Sequence, residues 1–213
     1  MNRAMLTLVV VTGLAAPAAA QWLGEPVWNS VSGGGLAISA DYAKPNDNYG
    51  HGTAWGARLS LGLGTTTFTF GAASWTPQEG ASLTSIGADA AFRLVGGALL
   101  PTTSPGIWSN LQVGVGHTEL ANVVVSPSVT AVTAAVGVGA RLPAPGFSVE
   151  PYVSPGIRYH SEVSTGGSST EFGYAIGANV GFGSFGVHLA YDNEKLKGGG
   201  SVGVFGVGAQ VTP

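Results

Sequence analysis

A chain of 213 residues is long enough for one domain with a substantial core and too short for two large ones. Charged residues make up 9% against 45% apolar ones, where soluble domains carry about 25% charge and a water-dispersed protein of this size would normally carry more. A net charge of −3 speaks against a nucleic-acid partner, and the absence of Cys removes disulfides, thiolate metal sites and a cysteine nucleophile.

The N-terminus reads as an export signal over residues 1–20. Arg3 supplies the positive region, Leu6–Leu14 the short apolar run, and Ala15–Ala20 the small residues, with Ala18-x-Ala20 as the cleavage site before Gln21. The apolar run is too short to span about 30 Å of hydrocarbon as a helix, and no later stretch offers the ~20 apolar residues a helical span needs. Residues 21–33, with Trp22, Pro26 and Trp28, are expected to form a loosely ordered periplasmic segment; the alternative is that they tuck into the mouth of the domain that follows.

From residue 34 to 213 the chain alternates apolar with small or polar residues, the period of a strand with two unlike faces. In chain order the apolar sets are Leu36/Ile38/Ala40/Tyr42, Trp55/Ala57/Leu59/Leu61, Phe68/Phe70/Ala72 and Ile86/Ala88/Ala90/Phe92/Leu94. There follow Ile107/Leu111/Val113/Val115, Val132/Ala134/Val136/Val138/Ala140/Leu142, Phe147/Val149/Val153/Ile157/Tyr159 and Phe172/Tyr174/Ile176/Ala178/Val180/Phe182. Phe185/Val187/Leu189/Tyr191 and Phe205/Val207/Ala209/Val211 complete the series. These make about ten segments, near the 9–11 residues of a tilted membrane-crossing strand.

Charge placement decides what the apolar face meets. Asp41, Arg58, Asp89, Arg93, Arg141, Glu150, Arg158 and Asp192 all fall on the small, polar face, and no charge interrupts an apolar one. That opposite face is mostly Gly, Ala and Ser, which suits a narrow closed lumen better than the solvent side of a soluble sandwich. Closure of the sheet would also remove its edges, as hydrocarbon requires. Tyr42, Trp55, Trp75, Tyr159 and Tyr191 gather toward one end of the strands and Phe92, Phe147, Phe182 and Phe185 toward the other, as two interfacial girdles would.

Connections alternate in length. Those at Gly62–Thr65, Pro143–Gly146 and Gly183-Ser184 are short, while Lys44–Gly50, Pro77–Ser82, Glu119–Ser128, Ser161–Thr170 and Asn193–Gly200 are longer and polar. Short turns would be periplasmic and long loops outer. The Pro-rich Val95–Pro105 connection departs from this rule. With its alanine-rich signal, alternating strands and alternating turn lengths, the chain resembles the outer-membrane β-barrel superfamily of opacity-type and small porin-like proteins, over essentially all of Gly34–Val211. The resemblance implies an all-β, closed antiparallel transmembrane barrel of about ten strands, with eight as the alternative, in the bacterial outer membrane. It implies a monomer whose partners are membrane lipid, lipopolysaccharide and the outer-membrane assembly machinery. Lys44, Lys195 and Lys197 fall in the outer loops, positioned to meet anionic lipopolysaccharide. The chain departs from the family at its end, Gln210-Val211-Thr212-Pro213, where such barrels usually close on an aromatic residue.

Two readings of the eight inward charges stand: a self-neutralising network that fills the lumen, or a polar constriction that selects solutes. Arg141 and Glu150 flank one short turn and can meet across its hairpin. Catalysis finds little support. His160 and Ser161 are adjacent and point to opposite faces, so they do not converge with Glu162. His188 shares a face with Asp192, while His51 and His117 have no metal-ligand spacing and Gly198–Gly200 lacks a phosphate loop's Lys and Ser/Thr. The expectation is a non-enzymatic envelope protein without cofactor or metal, a narrow pore or structural barrel. Adhesion through the outer loops is the alternative, and a soluble secreted sandwich a third reading.

Overall fold

The computed structural model describes residues 22–29, 35–96, 105–119, 128–162, 167–196 and 199–213. The expected signal, 1–20, lies outside them. Ten strands follow one another: β1 (Gly35–Pro45), β2 (Thr53–Leu63), β3 (Thr66–Thr76), β4 (Leu83–Val95), β5 (Gly106–Glu119), β6 (Ser128–Ala144), β7 (Phe147–Glu162), β8 (Gly167–Phe182), β9 (Phe185–Lys195) and β10 (Ser201–Val211). Each pairs antiparallel with the next, and β10 returns to β1 with Tyr42 opposite Val207, so the sheet closes with no free edge. Closure satisfies the backbone N–H and C=O groups between strands, the condition for crossing hydrocarbon.

Alternation sets the two surfaces. Trp55, Ile86 and Ile107 are 65%, 62% and 73% exposed on the outside, in a band that continues through Phe70, Ile157, Ile176 and Phe205. Two-residue turns join β2 to β3, β6 to β7 and β8 to β9, and Gly64, Gly146 and Gly183 take the positive φ those turns require. The 46–52 and 77–82 connections emerge at the opposite end. Phe147 and Phe182 meet outside the two-residue-turn end with ring centroids 6.0 Å apart, and Tyr42 packs on Trp55 toward the other at 4.8 Å.

Two features refine the expected strands. The β6–β7 ladder skips opposite Pro151 and Pro155 while β7–β8 runs through both. Being four residues apart in one strand, both prolines withhold their missing N–H from the same neighbour. Trp75 does not join the outer girdle. It shares the inward parity of β3, is buried, and packs edge-on against Tyr49 at 5.2 Å while its indole N–H donates to the His51 carbonyl. With Leu23, Ala43, Ala54, Leu83, Val202 and Val204 these rings form an apolar layer inside the loop end of the barrel. An apolar exterior around a polar interior, closed antiparallel, is the architecture of an outer-membrane β-barrel.

Candidate functional site

Inward-facing residues of the strands converge on the lumen. Arg58 of β2 donates to Asp41 of β1 through Nε to Oδ2 at 2.7 Å and through Nη2 to Oδ1 at 3.0 Å. His188 of β9 joins them, its Nε2 2.5 Å from Asp41 Oδ1 and 2.9 Å from Arg58 Nη2. Arg158 of β7 reaches over β8 to Asp192 of β9 at 3.3 Å, both fully enclosed. Gly173 of β8 leaves that passage open, because a Cβ there would lie 3.2 Å from Arg158 Cγ and Nε. Arg141 bonds Glu150 across the β6–β7 turn. Asp89 Oδ2 accepts from Gln112 Nε2 at 2.6 Å. Arg93 is half-buried near the two-residue-turn end, within electrostatic reach of Arg141 and Glu150. Three of the four arginines thus have a named carboxylate partner; an unpaired charge in this enclosure would be costly.

Residues 22–29 lie inside the barrel. They were expected as a loosely ordered periplasmic segment, but Trp22, Glu25, Val27, Trp28 and Asn29 are all at most 3% exposed. Backbone groups bind them to strand after strand. A turn closes from Glu25 N–H to Trp22 C=O at 3.0 Å. Leu23 N–H donates to Ser85 Oγ at 2.9 Å and Gly24 N–H to Tyr49 Oη at 3.0 Å. Val27 N–H donates to Asp192 Oδ2 at 3.0 Å, and the Trp28 carbonyl accepts from Gln112 Nε2 at 2.7 Å. Asn29 exchanges amide bonds with Asn110 at 3.2 and 2.8 Å and donates to Ser154 Oγ at 3.3 Å. Trp28 fits between the charges, edge-on to His188 at 4.6 Å with the Arg58 guanidinium 4.9 Å from its ring centre.

Glycines make room for this segment. A Cβ at Gly206 would meet Pro26 and Trp28 at 2.8 and 2.9 Å, one at Gly71 would meet the Trp22 indole nitrogen at 3.0 Å, and one at Gly137 would strike Asn29. Below the segment a cavity of about 230 Å³ remains at the two-residue-turn end. Trp28 and Asn29 close its inner side, and Arg58, Arg141, Ser148 and Gln210 are among its walls. Apolar packing around Leu23 fills the inside of the barrel toward the loop end.

The sequence reading passed over two buried carboxylates, Glu25 and Glu194. Glu194 pairs with His160 at 2.8 Å. It shares the parity of Asp192, so extending β9 by three residues would have brought it inward. His160 faces the lumen, and its Nδ1 meets no hydrogen-bond partner among the described residues, serine included.

No family model and no curated protein matches the chain. Solved structures with a similar fold include the outer membrane enzyme PagL, at 12% identity over 83% of this chain and 99% of that one, TM-score 0.46. The β domain of the Bordetella autotransporter BrkA gives 13% identity over 84% and 99%, TM-score 0.49. Ail, the attachment invasion locus protein of Yersinia pestis, gives 14% over 84% and 98%, TM-score 0.40. At these identities the likeness is one of fold.

Proposed function

We propose that the protein is a non-enzymatic outer-membrane barrel, a narrow pore held shut by its own residues 22–29. The observation that carries this reading is the seating of that segment in the lumen, with hydrogen bonds to side chains of β4, β5, β7, β8 and β9. A small barrel is normally filled by its own side chains; here inward glycines leave a void that the segment occupies. The charge pairs line the void and would face solute once it opened. A hydrolytic role gains no support from His160, whose ring is turned to Glu194 inside the wall rather than to a nucleophile. Exposed Lys44 and Lys195 at the loop end favour contact with phosphate-bearing lipopolysaccharide.

The test is single-channel recording on the refolded protein and on a variant lacking 22–29, each checked for folding by heat-dependent gel mobility. At pH 5 the intact protein should be silent and the deletion should show discrete, reproducible steps. Equal conductance from both would overturn the reading.

A further inference from the structure

Among the described residues Glu25 has no counter-charge of its own. It is 1% exposed, and neither carboxyl oxygen has a hydrogen-bond partner among them. Gly56 of β2 lets it approach the wall, where a Cβ would stand 3.2 Å from Oε1. Asp41, Arg58 and Trp28 share its electrostatic surroundings, and His188 contacts the Asp41–Arg58 pair. Asp41 of β1 repels an ionised Glu25. Arg58 of β2 attracts it but is already held by two bonds to Asp41. His188 of β9 is turned to Asp41 and Arg58, and the Trp28 indole lies close without donating in hydrogen-bond geometry. Among the described residues the buried carboxylates Asp41, Asp89, Glu150, Asp192, Glu194 and Glu25 outnumber Arg58, Arg93, Arg141 and Arg158 so long as the buried histidines are neutral. A further negative charge at Glu25 would be uncompensated.

We propose that residues 22–29 are a proton-held gate: Glu25 carries a proton while the segment is seated, and loss of that proton releases the segment and opens the lumen. This rests on the closed-pore reading above. Once the segment leaves the barrel, Glu25 is solvated and ionised at neutral pH. Seating therefore takes up one proton. Linkage makes the seated form strongest in acid and weakens it as pH rises above the ordinary carboxyl range, by at most about tenfold in the seated-to-open ratio per pH unit. Protonation of His188, which faces Asp41, would act in the same direction, so the test must separate it from Glu25.

Channel recordings from pH 5 to pH 9 on the refolded full-length mature chain, on Glu25→Gln and on the 22–29 deletion make that separation. The intact protein should pass from silent to open across the range, Glu25→Gln should stay closed throughout, and the deletion should conduct at every pH. An intact protein silent at every pH beside a conducting deletion would overturn the proton gate and leave the closed-pore reading standing. A pH response that persists in Glu25→Gln would overturn it too, by assigning the titration to another group. A silent deletion, or an intact protein that conducts fully at pH 5, would overturn both. Emission from the tryptophans, two of which ride on the segment, gives a second readout that needs no bilayer: a red shift with rising pH is expected in the intact protein and not in Glu25→Gln.

Discussion

At Arg58 three kinds of interaction meet in one side chain: a two-bond pair with Asp41, a contact with His188, and a cation facing the Trp28 ring. Removing a buried partner is more damaging than the net worth of the pair, because it strands the other charge. Arg58→Ala is therefore expected to lower unfolding stability by about 3 kcal/mol, while the paired replacement Asp41→Asn with Arg58→Met should cost much less. Denaturant titration of the detergent-refolded protein, followed by gel mobility, reads both. Parity alone marks Arg58, Asp41 and the other strand charges as inward. The partner each would choose is not readable that way, since a tilted barrel brings together residues from strands that are not neighbours, as with Arg158 and Asp192 across β8. Glu25 belongs to no strand, and no alternation points to it.

Among the elements, the strands were the most legible part of the chain, because lipid outside and a narrow interior impose a period of two over long stretches. Boundaries were less so. β7 and β8 each run to 16 residues, longer than a membrane crossing requires, and carry their inward parity past the apolar band. Trp75 shows where the reading slipped: its position near a strand end suggested a girdle, whereas its parity with Ala73 and Gly71 turns it inward. The same parity puts Val202 and Val204 of β10 into the apolar layer. Segment 22–29 left a different kind of signal, since two tryptophans precede a barrel whose inner wall is rich in glycine. Eight residues are too few to display a period, so the connection needed coordinates. An arginine placed mid-strand on the lipid face tests the assignment of sides. Val113→Arg on β5 should destabilise the folded barrel by about 2–4 kcal/mol, as cations at the bilayer midplane do. Unchanged stability of Val113→Arg in lipid bilayers would contradict the membrane orientation.

For the molecule as a whole, the barrel supplies the glycines, the hydrogen-bonding side chains and the charges, and residues 22–29 fill what they frame. In the proposed gate, opening would be a matter of moving eight residues, with no strand rearranged. The measurement that addresses this most directly is disulfide trapping in native membranes. Val27 and Ala175 touch inside the lumen, and the chain has no cysteine of its own to interfere. Val27→Cys with Ala175→Cys should form a bridge under mild oxidation, shield both thiols from a membrane-impermeant maleimide and keep the pore silent at pH 9 until reduced. No bridge, with the Val27→Cys thiol freely labelled from the periplasm, would contradict the account.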